Sequence, residues 1–424
     1  MWHTPLPDRF ERYWIAAVLW LLGAGLAPAG ELSFDEAQRL ALAGAPTLVA
    51  AAARSEASRA ELRPAGELPD PQLALGVDNL PVEGPGRYRF SDEPMAMRRI
   101  AFSQAFPNGD KRTARAAVAQ GALDVSAAQE AIARLRVREQ AALAWIDRYT
   151  AERQLARMDT LRAENRLFAA AVRARLASGS GSGVDAVAPR REAADIEALQ
   201  DRFAARREQA TAELERWVGE AAHAPLAGGV PDWPVDAERL RQHLPHHPDL
   251  VVYAARAERA RAEVALARAA RHPDWGLAVA YQQRDRQFGD MVSLEVSVDL
   301  PLLPGRRQDP LIAARVADGE ALAAQQDALL REHRAVLEAR LADYHRLDRA
   351  LARQMGTLLP LADEKVALAR AAWSGGEGSL ADLIAARRER IDAELERIDL
   401  DGQRQQAAAR LHFAYDAATP GEQP

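Results

Sequence analysis

Four histidines offer the clearest capacity for metal chemistry. His243, His246, His247 and His272 lie close together in the sequence. They flank prolines in a connection that is predicted to be non-helical, and they lack the i, i+4 spacing that places two ligands on one helix face. We therefore expect solvated loop histidines and no bound metal, with specific metal binding as the alternative.

The other residue types give no sign of catalysis. Cysteine is absent, which excludes disulfides, thiolate zinc sites and thiol nucleophiles. No serine–histidine–acid, paired-carboxylate or metal-hydrolase pattern stands out, so we predict neither an enzyme nor a cofactor. The net charge of −6 argues against a nucleic-acid partner. Few aromatic residues and abundant alanine favour long, closely packed helices.

The N-terminal segment has the order of an export signal. Arg9 and Arg12 precede an apolar run from Trp14 to Leu26, and the small residues from Ala27 to Ala29 follow it. We predict a signal peptide at residues 1–30, cut near Ala29 or Gly30; an N-terminal anchor or a misassigned start is the alternative. No later stretch approaches 18 continuous apolar residues.

The rest of the chain carries an internal duplication of about 200 residues. Three pairs of segments recur in the same order: Ala45–Leu48 with His247–Leu250 and Asp70–Val77 with His272–Val279, both offset by 202, and Asp185 with Asp382, offset by 197. We predict a first repeat at 31–220, a second at 221–416 and a tail at 417–424. Chance similarity in an alanine- and arginine-rich chain is the alternative.

Each repeat is predicted to contain a short helix, a β-hairpin and a long helical hairpin. The β-hairpins are expected at about 71–106 and 274–301, and the helical hairpins at about 109–218 and 308–415. No proline lies between Pro107 and Pro189, and about 70 helical residues would extend roughly 100 Å. Seven-residue rows, such as Leu330, Leu337, Tyr344, Leu351 and Leu358, predict coiled-coil packing. Pro360 should interrupt this helix.

The strand segments alternate between apolar and polar residues. Val292, Leu294, Val296, Val298 and Leu300 share one face, and Ser293, Glu295, Ser297 and Asp299 share the other. Segments of about ten residues suit tilted membrane strands with one apolar face, although a half-buried soluble sheet would show the same pattern. We predict that Glu295 and Asp299 line the lumen of a barrel, unless they are ordinary solvated residues.

Four strands per chain cannot close a barrel, and open sheet edges are not tolerated in lipid. Oligomerisation must therefore supply the other strands. Two chains would give eight strands and a barrel too narrow for an open pore, whereas three chains would give twelve. We predict a homotrimer in contact with membrane lipid.

Repeats, hairpins and helix lengths together resemble the TolC-type outer-membrane efflux factors, over roughly residues 31–416. Two stretches, Leu68–Pro81 and Met97–Arg112, look most like the CzcC/CusC heavy-metal branch. The resemblance implies a protein that is mainly α with a β-barrel part. Its duplicated helix–β-hairpin–helix halves would supply four strands per chain to a trimeric 12-stranded outer-membrane barrel, with long coiled-coil helices forming a periplasmic tunnel.

The resemblance also implies a function and partners. The protein would be a passive conduit in the outer membrane of a Gram-negative bacterium. It would connect a periplasmic adaptor and a proton-driven inner-membrane RND pump to the exterior, for heavy-metal cations. The alternatives are drug efflux or type I secretion through the same channel, and, in another class, a coiled-coil scaffold protein without a pore.

Two glycine-rich turns would then form the periplasmic tips where the adaptor docks. The glycines concerned are Gly179, Gly181 and Gly183 in the first repeat and Gly376 and Gly378 in the second. Neither turn continues into Gly-Lys-Ser/Thr, so phosphate binding is not expected. A flexible turn without a partner is the alternative.

Two aspartates match an acidic ring at the tunnel's constriction in the family. They are Asp382 and its counterpart Asp185, and three converging copies would favour cations. The family's second acid, three residues further on, is Ala385 here, which departs from the family pattern. The alternative role for both aspartates is capping of helix N-termini.

Overall fold

The computed structural model describes residues 30–91, 93–179 and 181–416. Residues 1–29 of the predicted signal peptide and the predicted tail lie outside these residues. The helices are α1 Phe34–Gly44, α2 Pro46–Ala65, α3 Gly109–Ala177, α4 Val187–Val218, α5 Ala237–His243, α6 Pro248–Ala269, α7 Pro304–Arg353, α8 Leu359–Gly375 and α9 Leu380–Leu411. The strands are β1 Leu32–Ser33, β2 Gln72–Asp78, β3 Met97–Phe106, β4 Leu226–Ala227, β5 Trp275–Gln283 and β6 Met291–Val298.

The element order repeats. In each half, a helix that begins at a proline (Pro46 or Pro248) leads into two strands and then a pair of long helical arms. The arms are α3 and α4 in the first half; in the second half the first arm is divided into α7 and α8, and α9 is the second. Proline suits the first turn of a helix because its missing N–H would have no intrahelical partner there.

Strands β2, β3, β5 and β6 form one antiparallel sheet in that order. Its outer pairs are the two predicted hairpins; for example, Leu75 faces Ile100 and Val279 faces Leu294. The middle pair, β3 with β5, joins the two repeats, with Phe102 opposite Val279. The two halves of the sequence therefore build a single sheet, with β2 and β6 at its edges.

The chain divides into two compact units, and each contains segments of both repeats. One consists of residues 30–44, Val137–Pro234 and Asp343–Arg410. Its core includes Met158 and Leu161 of α3, Ile196 and Phe203 of α4, and Ile391 and Leu395 of α9. The short parallel pair of β1 and β4 also belongs to this unit.

The second unit consists of Ala45–Arg136, Val235–Ala342 and residues 411–416. It holds the four-stranded sheet, α2, α5, α6, the first part of α3 and most of α7. Asp274 fixes the junction between strand and helix. Its Oδ1 accepts hydrogen bonds from the backbone N and Nδ2 of Asn108, both at 2.8 Å, and its Oδ2 binds Lys111. Asn108 Oδ1 in turn accepts the N–H of Lys111 at 2.8 Å and so caps α3.

The predicted interruption near Pro360 is present as a π-helical turn over Gln354–Leu358, immediately before α8. The predicted seven-residue row ends there. Leu337 and Leu351 are buried, but Leu358 is 52% exposed. A π turn contains an extra residue, so it rotates the following side chains away from the row. Within the described ranges, no helix is long and apolar enough to cross a membrane.

Candidate functional sites

The four-stranded sheet has one apolar face, and the pairing confirms the predicted alternation. Leu73, Leu75, Phe102, Val279 and Leu294 occupy one face in mutual register. Their side chains are between 42% and 73% exposed in the single chain. Exposure of so many neighbouring large apolar residues is rare on the surface of a soluble monomer and marks a contact surface.

The opposite face of the sheet is polar or small. Glu295 faces Ala278, and Ser297 faces Gly276. Gln282 donates a hydrogen bond to Ser293 Oγ at 2.9 Å. Asp299 follows the end of β6, and its backbone N–H donates to the carbonyl of Asp274 at 2.8 Å. Glu295 therefore lies on the face predicted for it, whereas Asp299 lies just beyond the strand.

The first glycine-rich turn joins α3 to α4 and is closed by a capping box. Ser182 Oγ accepts the N–H of Val184 at 3.4 Å, and Asp185 Oδ2 accepts the N–H of Ser182 at 2.9 Å. Gly179 has a φ of +75°, which reverses the chain after α3. The side chain of Asp185 thus has a local partner, but the capping residue itself is Ser182.

The second glycine-rich turn joins α8 to α9. Gly376, with a φ of +84°, ends α8, and the N–H groups of Glu377 and Gly378 both reach the carbonyl of Ala372 at 3.0 Å. A Cβ on Gly378 would lie 2.8 Å from the Cβ of Ala372, so only glycine fits there. The backbone geometry therefore explains why glycine occupies positions 376 and 378 of this turn.

Asp382 stands in the first turn of α9 and is exposed. Ser379 donates its hydroxyl to Asp382 Oδ2 at 2.6 Å, and the same hydroxyl accepts the N–H of Asp382 at 3.1 Å. As in the first turn, a serine provides the cap and the aspartate supports it. This contact leaves the carboxylate of Asp382 accessible to solvent.

A small core lies directly behind the turns. Phe168 and Val172 of α3 pack with Leu380 and Leu383 of α9, and Trp373 packs against them. Arg175 donates to the carbonyl of Trp373 and lies over its ring at 4.9 Å. This cluster ties the helices of both turns together.

A groove of about 760 Å³ runs between α4 and α9 beside this core. Val187, Ile196, Ile384 and Ile391 contribute apolar surface, and Arg191, Asp195, Arg388 and Asp392 contribute charge. An apolar groove with a charged lining is a suitable surface for another helix.

The four histidines that lie close together in the sequence do not form one cluster in the structure. His246 and His272 are exposed, and His243 lies 3.9 Å from Asp416. His247 instead packs against His333 of α7, with ring centroids 4.0 Å apart, and both lie near Asp249. Sequence reasoning missed His333 because the residue lies in the middle of a helix without any local motif.

His247 also caps α6, since its Nδ1 accepts the N–H of Asp249 at 3.2 Å. Burial and, to a smaller extent, the neighbouring His333 lower the pKa of His247 to about 4, against the opposing effect of Asp249. The imidazole is therefore neutral at physiological pH.

Comparison with known proteins relates part of the chain to one family. The sequence model of the family described as Outer membrane efflux protein matches residues 240–415. The matched residues make up nearly the whole second repeat. No curated protein sequence matches the chain significantly.

Solved structures extend the likeness to most of the chain. A membrane protein from Pseudomonas aeruginosa is 19% identical, with 90% of each chain covered and a TM-score of 0.76. CusC is 15% identical, with 90% of this chain and 91% of that chain covered and a TM-score of 0.75. VceC from Vibrio cholerae is 18% identical, with 91% and 95% covered and a TM-score of 0.73. The predicted fold class, mainly α with a small β part as in TolC-like channels, is confirmed.

Proposed function

We propose that the protein is the outer-membrane channel of a tripartite efflux system and acts as a passive homotrimeric conduit. One observation carries this proposal: a four-stranded sheet with an exposed apolar face is attached to paired long helices. A coiled-coil scaffold without a pore would need no such face. Energy would come from a partner pump.

The open edges of the sheet support a trimer. Among the residues that the structure describes, β2 and β6 each have one unpaired side. In lipid those backbone groups must find partners, and pairing β6 of one copy with β2 of the next would supply them. Three copies would close twelve strands. The apolar face would then meet lipid, and Glu295 would face the water-filled interior, with Asp299 at its end.

Paired variants on one strand test this arrangement. Leu294→Arg places a charge on the apolar face, which costs about 2–4 kcal/mol near the middle of a bilayer, whereas the neighbouring Ser293→Arg places the same charge on the polar face. We expect Leu294→Arg to abolish recovery of the trimer from the outer-membrane fraction and Ser293→Arg to preserve it. Equal recovery of both variants would contradict the proposal.

The glycine-rich turns are proposed as the tips at which a periplasmic adaptor of an RND pump docks. Gly179, Gly181, Gly183, Gly376 and Gly378 leave little side-chain cover on the turns, and the groove beside them offers apolar surface. Gly183→Trp is the cleanest test, because a Cβ at this position meets nothing within 4 Å. It should leave the turn folded and weaken crosslinking to the adaptor. The chain has no cysteine, so a single cysteine at the exposed Val184 gives an unambiguous crosslink and keeps the cap at Ser182.

Asp382 and Asp185 are proposed as an acidic constriction near the tips. Two variants separate charge from capping. Asp382→Asn removes the charge but keeps an oxygen that accepts from Ser379, and Ser379→Ala removes the cap but keeps the charge. A ring of carboxylates predicts that Asp382→Asn lowers cation selectivity in bilayer recordings and that Ser379→Ala does not. The reverse result would assign Asp382 to capping alone.

Heavy-metal cations are proposed as the cargo. The two stretches that resemble the CzcC/CusC branch support this, and CusC is among the similar structures. The similar structures also include VceC from Vibrio cholerae and the MtrE channel from Neisseria gonorrhoeae. Deleting the gene in its own host should lower the tolerated concentration of metal salts. A loss of drug tolerance alone would favour the drug-efflux alternative.

A further inference from the structure

Two helices bring three ligand-type side chains together. Asp249 Oδ2 lies 3.5 Å from His333 Nε2 and 3.9 Å from His247 Nδ1. One potential ligand atom from each residue lies within 4.8 Å of the others. His333 is on α7, and the other two begin α6.

The separations are close to those of a metal site. Zinc binds imidazole nitrogen at about 2.0–2.1 Å and carboxylate oxygen at about 2.0–2.2 Å, so tetrahedral ligand atoms are roughly 3.3–3.5 Å apart. The distance from Asp249 Oδ2 to His333 Nε2 is within this range, and the distance to His247 Nδ1 exceeds it by a few tenths of an ångström. Small side-chain rotations would close the gap.

The surroundings exclude most water. The side chains of His247, His333 and Asp249 are 11%, 15% and 27% exposed. The ring of Tyr415 lies 5.4 Å from that of His247, and the fully buried Leu337 follows His333 by one helical turn.

We propose that His247, Asp249 and His333 bind a divalent transition-metal cation of the zinc class. Two imidazole nitrogens and one carboxylate oxygen would serve as ligands, with water at the open position. This donor set suits zinc better than magnesium or calcium, which prefer oxygen ligands alone. The site goes beyond the proposed conduit and does not depend on it.

A neighbouring arginine orients the carboxylate. Arg136 Nη2 lies 3.3 Å from Asp249 Oδ1, which leaves Oδ2 directed toward the histidines. Second-shell contacts of this kind commonly fix a metal ligand. The positive charges of Arg136 and Arg340 weaken the binding of a cation. To bind the metal through Nδ1, His247 must also give up the hydrogen bond that Nδ1 accepts from the N–H of Asp249. Both effects indicate a reversible site rather than a permanently filled structural one.

Zinc titration of the full-length protein in detergent tests the site. After treatment with a chelator, ZnCl2 is added in a calorimeter, and CoCl2 is added separately to record the visible spectrum of the bound ion. We expect one strong site per chain for the wild type. His333→Gln, which leaves the cap of α6 untouched, should weaken binding at least tenfold, and His247→Asn, which keeps a capping side chain, should do the same.

His246→Gln and His272→Gln are the matched controls, because these exposed histidines lie nearby in the sequence but outside the cluster. Both should keep the wild-type stoichiometry and affinity. Unchanged far-UV circular dichroism of the metal-free variants establishes that they fold. Absence of the strong site in the wild type, or its retention in His333→Gln, would overturn the proposal and leave His247 as a helix cap only.

Discussion

The ion pair between Arg387 of α9 and Glu192 of α4 yields the most quantitative prediction. Arg387 Nη2 and Nε donate to Glu192 Oε1 at 2.9 and 3.1 Å, and the side chains are only 14% and 10% exposed. The guanidinium also lies 4.8 Å from the ring centroid of Phe168 on α3. Three helices near the turns therefore meet at one arginine.

Replacing Arg387 by alanine leaves the carboxylate of Glu192 enclosed without a partner. Breaking a buried pair in this way costs about 3–5 kcal/mol. Since about 1.4 kcal/mol corresponds to a factor of ten, local opening should become at least about 100-fold more frequent.

Lys365 and Glu389 form a matched ion pair on the surface, where the two side chains are 56% and 55% exposed. Lys365→Ala should therefore lower the free energy of local opening by no more than about 1 kcal/mol, which makes opening at most about fivefold more frequent.

Hydrogen exchange of the detergent-solubilised protein, followed by mass spectrometry, measures this opening in peptides that cover residues 380–400. Exchange should accelerate strongly in Arg387→Ala and little in Lys365→Ala. The double variant Arg387→Met with Glu192→Leu should recover most of the protection, because apolar residues of similar size often replace a buried ion pair without loss. Equal exchange in the two single variants, or no recovery in the double variant, would refute the reasoning.

Three further predictions follow from the described contacts. Gly378→Ala should lower the free energy of unfolding by about 1–3 kcal/mol and speed proteolysis of the second turn, because its Cβ would lie 2.8 Å from that of Ala372. The control variant Gly183→Ala should leave proteolysis unchanged, and equal cleavage of the two variants would contradict this reasoning. Burial raises the pKa of Asp274, but hydrogen bonds from Lys111 and Asn108 outweigh burial and hold this pKa below its ordinary value of 3.8. The Asp274 carboxylate therefore stabilises the fold fully above about pH 3.8, and this stabilisation is lost as the pH falls through its folded-state pKa. Asp274→Asn should make the melting temperature less dependent on pH in this acidic range. An unchanged profile would contradict this. Trp145→Ala should lower stability by about 3–5 kcal/mol in denaturant unfolding, because the indole is fully buried against Phe34 and Tyr149; a loss below about 1 kcal/mol would contradict this.

Local patterns predicted the sheet well because alternation and hairpin turns act over short distances. The register of Val279 with Leu294 follows from apolar residues on one face. Pairing of β3 with β5 was not predicted, because it joins residues far apart in sequence, such as Phe102 and Val279. Nor was the pair of β1 and β4, because two-residue strands are too short to show any periodicity.

The candidate sites were less predictable because they depend on tertiary packing. Asp185 and Asp382 lie near helix starts, but the serines that cap those starts became visible only in the structure. His333 has no motif around it and joins His247 only because α7 packs beside the start of α6. Chemistry assembled from distant helices leaves no local signal in a sequence.

Planar-bilayer conductance, with the oligomer mass measured on the same detergent preparation, tests the central claim most directly. A trimer with small, cation-selective and mostly closed currents is the predicted result. A soluble monomer or dimer without conductance would contradict the conduit and favour a scaffold built from the long helices.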